Sequence, residues 1–448
     1  MLNYCLHRVR QVRTLTARRD TADRGIPSIV QTSAANLAII AFGAVAGVIA
    51  ARALGPHGRG IYSIATVAPT FIGIIGTFGV EEAIVYIAGR ADDQREVSRM
   101  IWSSLALALI MGLIASSVSV AFQLAVFWHP GLGVSEPLFI VAACLPLQYV
   151  LSQVSLAHLR VQSRYTAWNS LRLLVAVAYL TGMAIAALAG ILTVDGAILC
   201  FIIANSTVLA ASMLAICLRR KPSMSGADIK SMLSSGWKNH LVTVQTYANQ
   251  QLDQVFLAAM VPAVELGQYA IAVTYASAGL SLGLAPALQM YSHFSRQDKP
   301  DREAYRQVVM RTLILLTVSC VIWGALAPMI IPFVFGKSYE MAVKPALILI
   351  VSSPILSLNA MFSAIWKSAG KPIEAAKAQS IGLLLTVICL PVAISYLGII
   401  GAAIVSVIAY AVTAAWLFNS KPFDGLLAAR NGPVHPEVAE ARVVGENA

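Results

Sequence analysis

Apolar residues in this chain come in blocks of roughly 20–28, parted by short charged or Gly/Pro-bearing loops, and that spacing constrains the fold more than any motif does. At a rise of about 1.5 Å per residue, each block is long enough to cross a ~30 Å hydrocarbon layer as a helix. One oversized soluble core would not be interrupted so regularly. Composition agrees: 58% of the 448 residues are hydrophobic and 12% charged, whereas soluble domains carry about 25% charged residues. A soluble enzyme is excluded. The fold class expected is an all-α polytopic membrane protein.

Twelve spans are expected, at 28–51, 61–88, 99–124, 136–158, 166–190, 194–218, 236–261, 267–292, 307–334, 343–366, 374–396 and 398–419. Turns between them carry Gly55-Pro56-His57-Gly58, His129-Pro130-Gly131 and Gly370-Lys371-Pro372. With these spans, Arg52, Arg59, Lys337 and Lys344 fall on one side of the membrane and Lys238 stands alone near a membrane end. Every other Lys and Arg falls on the opposite side. Such a bias puts both termini in the cytoplasm. Trp102, Trp128, Trp168, Trp237, Trp366 and Trp416 lie near span ends, as an interfacial aromatic belt requires. Residues 1–27 are Arg-rich and lack an apolar run, so no cleavable signal is read there and the first span serves as the insertion signal.

The formal charge of +11 is spread over cytoplasmic loops as a topogenic signal. No aromatic-interleaved basic patch accompanies it, so nucleic acid is not an expected partner. The six cysteines show no metal-type spacing, and five lie within apolar blocks as small buried hydrophobes. No metal site and no cofactor are expected. There is no phosphate loop and no nucleophile elbow, so the chain is read as a non-enzyme.

An internal repeat is visible. Gly60-x-Tyr62 opens the second span and Gly267-x-Tyr269 the eighth, 207 residues on; Arg164 and Lys371 are also 207 apart. Gly196-Ala197 and Gly401-Ala402 open the sixth and twelfth spans at an offset of 205. Six spans per half leave the halves in the same sense, related by an axis along the membrane normal, which is a transporter plan. The expected organisation is a basic cytoplasmic segment (1–27), a lobe of spans one to six (28–218), a cytoplasmic linker (219–235), a lobe of spans seven to twelve (236–419) and a polar cytoplasmic tail (420–448).

Four segments carry a family resemblance: Ala51-Arg52-Ala53-Leu54-Gly55-Pro56-His57-Gly58-Arg59-Gly60-Ile61-Tyr62; Leu252-Asp253-Gln254-Val255-Phe256-Leu257 with Gly267-x-Tyr269; Phe335-Gly336-Lys337-Ser338-Tyr339; and Ala369-Gly370-Lys371-Pro372. In order and spacing, over about residues 28–419, the chain resembles the polysaccharide biosynthesis (Wzx-like) flippases of the multidrug/oligosaccharidyl-lipid/polysaccharide exporter superfamily. The resemblance implies two pseudo-symmetric six-helix lobes around a central cavity in a bacterial inner membrane. It also implies alternating access for a lipid-linked oligosaccharide on an undecaprenyl-diphosphate carrier. Beyond that substrate and membrane lipid, a polysaccharide polymerase and glycosyltransferases are the partners such a role would bring, and coupling to H+ or Na+ stays open.

A flippase must shelter a sugar and a diphosphate from hydrocarbon, since burying an unpaired ion costs several kcal/mol even after relaxation. Cationic groups in a wet cavity would lower that barrier. Lys238, Gln245, Asn249 and Asp253 share one face of the seventh span. A polar stripe there should face a lumen or another helix rather than lipid. Lys238 then contacts an anion or snorkels to the interface; Asp253 couples or gates, or bonds structurally to a neighbour. Arg172 contacts diphosphate or snorkels to cytoplasmic headgroups. Lys367 joins His158 and Arg160 at equivalent ends of the two halves, as a basic rim or as ordinary positive-inside charge. Arg52 and Arg59 run against the charge bias, and the resemblance suggests a periplasmic end for an anionic pathway. Glu81 and Glu82 either pair with a basic neighbour or couple an ion. Pro69 and Pro286 would kink the second and eighth spans. Two alternatives remain open: a cation-exporting multidrug transporter of the same superfamily, and a non-transporting membrane scaffold for polysaccharide enzymes.

Overall fold

The computed structural model describes residues 2–89, 91, 93–128, 133–218, 222–278, 302–368 and 372–420. Within these, the side chains of 2–30, 33, 238, 239, 242, 302, 304, 305, 367, 368 and 372 lie outside the description. The chain is helical nearly throughout: α1 Leu2–Gly76, α2 Val80–Ala88, α3 Gln94–Val126, α4 Glu136–Ala143, α5 Leu145–Val161, α6 Tyr165–Leu188, α7 Val194–Cys217 and α8 Gly226–Met260. A ninth helix, α9, runs from 263 to the limit of the described residues at 278. It is followed by α10 Arg302–Phe335, a 3-10 turn Lys337–Ala342, α11 Val343–Ile350, α12 Ser352–Ser368 and α13 Pro372–Asn419.

Among the described residues, eight helical stretches are long and apolar enough to cross a membrane. Two of them, Ala34–Ala88 and Ile373–Asn419, hold 55 and 47 residues, about 80 and 70 Å if straight. Each is instead a hairpin broken at a positive-φ glycine, Gly55 (φ 65°) and Gly398 (φ 56°), a conformation that costs a residue without Cβ little. The side-chain contacts prove the reversal. Asn169 of α6 donates to Thr32 (2.9 Å) and Tyr179 of the same helix donates to Tyr62 (2.9 Å). Those partners would stand about 45 Å apart on a straight α1, against about 15 Å on α6. Likewise a Cβ at Gly382 would lie 2.3 Å from Thr413 Oγ1, which only a fold-back at Gly398 allows. With α8 and α9 added, the arrangement is consistent with the twelve expected passes. The seventh, α8, falls outside the apolar set because it carries the polar stripe.

Some boundaries differ from those expected. The first helix reaches back to Leu2, into the segment expected at 1–27, and α8 begins at Gly226 rather than near 236. The helix continues through Pro69 and breaks later, where Phe78 (φ 46°) and Gly79 (φ 72°) separate α1 from α2. Pro286 lies outside the described residues.

Local chemistry sets the helix starts. Asp93 accepts from Arg95 N (2.9 Å) ahead of α3, and Thr193 accepts from Gly196 N (3.1 Å) ahead of α7, each satisfying a backbone donor that the first turn leaves unpaired. Exposed faces are apolar, as with Ile110, Leu113, Ile114 and Val118 along α3, which suits contact with lipid. Packing inside is close. One buried cluster joins Ile61, Tyr62 and Ala65 of α1 to Leu266, Tyr269 and Ile271 of α9, so the two halves share a core at the Gly55 end. A second cluster joins Val80, Ile84, Val97, Ile101 and Val154 to Met232 of α8.

Gly382 and Gly43 test this packing as a pair. Nothing lies within 4 Å of a Cβ at Gly43, so Gly43→Ala should keep or raise thermal stability, gaining up to about 1 kcal/mol of helix propensity. Gly382→Ala should lower it by about 1–3 kcal/mol through overpacking against Thr413, as read by thermal unfolding of the purified protein in detergent.

Candidate functional site

The polar face of α8 is built as the sequence spacing requires, and it meets helices of the second half. Gln245 Nε2 donates to Ser380 Oγ (2.7 Å). Asn249 Nδ2 donates to Gln379 Oε1 (2.8 Å) and to the Gln379 carbonyl (3.2 Å), while its own carbonyl accepts from Tyr410 Oη (2.7 Å). One turn on, Asp253 Oδ2 accepts from Tyr269 Oη (2.5 Å) and Ser406 Oγ (3.2 Å), and Oδ1 accepts from Gln254 N (2.8 Å). Asp253 is 4% exposed and Asn249 5%. A carboxylate so placed is tolerable only because three donors replace its water. The network is not saturated on the acceptor side: the side-chain carbonyl oxygens of Gln245 and Asn249 are buried without a partner.

Beside Asp253 lies a cavity of about 120 Å³, with Gln250, Gln251, Ser352, Ser353 and Tyr410 among its walls. Its walls are mixed, with Val273, Ala276, Leu349 and Leu356 beside the polar groups, and it is large enough for several waters. Leu349, Ser352, Ser353 and Leu356 line it at the spacing of one helical face, since Val351 between α11 and α12 keeps helical dihedrals (φ -59°, ψ -25°).

A second polar group lies in the first half. The guanidinium carbons of Arg172 and Arg160 stand 4.4 and 5.8 Å from the centre of the Trp168 ring. Arg160 also donates to the Glu81 carbonyl (3.3 Å), and its Nε is buried without a partner. Among the described residues, no carboxylate lies within 4 Å of either arginine. Glu81 accepts from Thr77 Oγ1 (3.2 Å) and keeps one buried oxygen unpaired; Glu82 accepts from Thr243 Oγ1 of α8 (3.3 Å). His240, also on α8, bonds through Nε2 to the Ile75 carbonyl (3.1 Å), beside the helix break.

The two arginines expected at the outer end behave differently from each other. Arg52 donates to the carbonyls of Phe333 (2.6 Å) and Val334 (2.7 Å), so it caps the C-terminus of α10, where backbone dipoles leave negative charge. Arg59 stands 5.1 Å from the centre of the Tyr62 ring, with Nε buried and unpartnered. Lys238 and Lys367 sit on α8 and α12, and their side chains lie outside the described residues.

Sequence reasoning placed Gln245, Asn249 and Asp253 on one face but missed Gln379, Ser406, Tyr410 and Tyr269 as their partners. The four-residue spacing of Ser406 and Tyr410 was a usable signal for a helix face opposite the stripe. It also missed Trp168 as the shared platform of Arg160 and Arg172. Among the described residues, no group of three His, Cys, Asp or Glu could hold a metal ion.

Comparison with known proteins gives two independent findings. Residues 49–344 match the model of a family described as polysaccharide biosynthesis protein. Among solved structures, the chain is similar to the lipid II flippase MurJ in an inward closed conformation (TM-score 0.72, 16% identity, covering 90% of each chain). It is also similar to a multidrug resistance MATE family transporter of the MOP superfamily in an inward-facing conformation, with a TM-score of 0.70, 15% identity, and coverage of 87% of this chain and 94% of the other. A MOP superfamily transporter from Pyrococcus furiosus gives a TM-score of 0.56 at 14% identity, with 90% and 96% covered. At these identities the likeness establishes the fold alone, one shared with the MurJ and MATE structures. No curated protein matches the chain.

The burial pattern predicts an order of reactivity. In a background lacking the native cysteines, Gln245→Cys should react faster with a small water-soluble maleimide than Asn249→Cys, which replaces a side chain 5% exposed. Equal rates at the two positions would contradict the described packing of α8 on α13.

Proposed function

The chain belongs to the polysaccharide biosynthesis protein family, and from that premise we propose that it is a flippase for a lipid-linked oligosaccharide. In this reading the saccharide, carried on undecaprenyl diphosphate, turns from the cytoplasmic to the periplasmic leaflet of a bacterial inner membrane. Both termini are cytoplasmic, and the lobes 28–218 and 236–419 rock about the central pathway.

The observation that carries the reading is the pair of arginines on Trp168. Two guanidinium groups share one indole with no carboxylate within 4 Å among the described residues. Arg160 lies in the field of Glu81 and Glu82, whereas Arg172 has no acidic neighbour among the described residues, and positive charge left unbalanced within a membrane protein is costly unless an anion arrives. A diphosphate is such an anion, and guanidinium groups bind phosphate oxygens through paired N–H donors. Lys238, Lys367 and Arg59 extend the same cationic character along the pathway, with Gln245 and Asn249 as its polar face. Arg52 takes part as a link between the halves at the periplasmic end.

Asp253 is the proposed coupling group. Its carboxylate, with the unpaired Asn249 oxygen one turn away and a cavity alongside that Ser352 and Ser353 help to line, offers oxygen ligands for H+ or Na+. Glu81 and Glu82 gate the first half in this scheme. A polymerase and glycosyltransferases would act before and after the flip.

A second reading, export of organic cations, is favoured by the likeness to MATE transporters and by the buried acid Asp253. Sign of charge separates the two. At an effective dielectric of about 20, two unit charges about 4 Å apart interact by about 4 kcal/mol, so Arg172→Glu should abolish surface-polysaccharide export. Arg172→Lys should retain much of it at equal protein level. The measurement is surface polysaccharide in a deletion strain complemented by each variant. Full export from Arg172→Glu would remove Arg172 as a substrate contact, and cation export improved by the added acid would favour the second reading.

A further inference from the structure

The two helix starts at the Gly55 end touch in a way that only glycine permits. A Cβ at Gly60 would lie 1.7 Å from the Ala263 carbonyl oxygen; a Cβ at Gly267 would lie 1.9 Å from the Pro56 carbonyl oxygen. Real Cβ atoms do not approach backbone so closely, and carbonyl groups inside a helix start cannot swing aside as a flexible side chain can. The contact is reciprocal. Pro56 and Ala263 are 207 residues apart, as are Gly60 and Gly267, so each half places a glycine on the carbonyl four residues before the other half's glycine. This is the self-complementary contact that a two-fold axis generates, here between repeats of one chain, and small residues are what let membrane helices meet backbone to backbone.

Polar bonds reinforce the same junction from both sides. Arg52, just before the Gly55 turn, donates to the Phe333 and Val334 carbonyls of the second half. Tyr339 Oη donates to the Ala51 carbonyl (3.1 Å). Gly60 and Gly267 themselves have ordinary helical φ, since neither is among the positive-φ glycines. Their lack of a side chain therefore serves the approach of the two halves and not a turn.

We propose that the reciprocal Gly60–Gly267 contact is the closing surface of the periplasmic gate, held by Arg52 and Tyr339 as latches. The inference rests on the alternating-access reading. Opening toward the periplasm separates the two glycines and releases the Arg52 guanidinium from the α10 carbonyls. A methyl group at either glycine acts as a wedge and biases the protein toward the open state.

The test uses the purified full chain in lipid nanodiscs with no substrate, in a background lacking the native cysteines. Spin labels at His57→Cys and Glu340→Cys, both exposed and on opposite sides of the junction, report the gate. Gly60→Ala and Gly267→Ala should each shift the interlabel distance to longer values and abolish polysaccharide export. Gly43→Ala, with open space at its Cβ, should leave both unchanged. Arg52→Ala, which adds no bulk, should populate the longer distance in part, and it decides the matter if the glycine variants fail to insert. A wild-type distance distribution in the glycine variants and in Arg52→Ala would overturn the proposal, whether or not export survives. If deleting the gene left every surface polysaccharide intact, the flippase reading would fall while the distance result would still stand.

Discussion

Inside hydrocarbon, water is not available to satisfy a polar group, and every part of this fold answers to that constraint. Backbone N–H and C=O groups close within helices, which is why the described chain is helical nearly throughout. Where the helices break, side chains take over the freed groups: His240 at the Ile75 carbonyl, and Arg52 at the Phe333 and Val334 carbonyls. The same rule turns the charged and amide face of α8 inward, where Gln379, Ser380, Ser406 and Tyr410 meet it. Polar side chains that cost nothing in water become, here, the features that fix how helices are oriented.

Function grows from the places where this satisfaction is incomplete. Asn249 Oδ1, Glu81 Oε2, Arg59 Nε and Arg160 Nε are all buried without a partner. An unpaired buried group of this kind costs about 1–3 kcal/mol, and more when charged. On the proposed reading, these costs are relieved when a diphosphate meets the arginines of the first half and a small cation or proton meets Asp253 in the second. The two requirements sit in different halves, on elements that α8 connects: its first turns pack on α2 and α3, with Arg99 bound to Asp228 at 2.9 Å, and its last turns pack on α13.

Most of the helical architecture was legible because apolar block length is a one-dimensional signal. The repeat offset of 207 residues, read from Gly60-x-Tyr62 and Gly267-x-Tyr269, reappears as a physical contact between those segments. The face shared by Gln245, Asn249 and Asp253 was legible from helical periodicity alone. What faced it was not, because Gln379 and Ser406 lie over a hundred residues away and periodicity carries no information about partners. Arg52 shows the same limit. Its place against the charge bias was visible, but the carbonyls it caps belong to α10, some 280 residues on. The break at Phe78 and Gly79 was also hidden: Pro69 was the visible kinking residue, and the chain bends later, where α8 meets it at Gly236.

The central claim is that an anionic lipid-linked saccharide crosses the membrane through this protein. It is tested most directly with purified protein in liposomes containing a labelled undecaprenyl-diphosphate oligosaccharide, whose outer-leaflet fraction is read by an added membrane-impermeant glycosidase. The account predicts that wild-type protein exposes the inner-leaflet pool to the glycosidase, and that protein-free liposomes do not. An inner pool that stays protected, in liposomes where the same protein moves an organic cation, would contradict it.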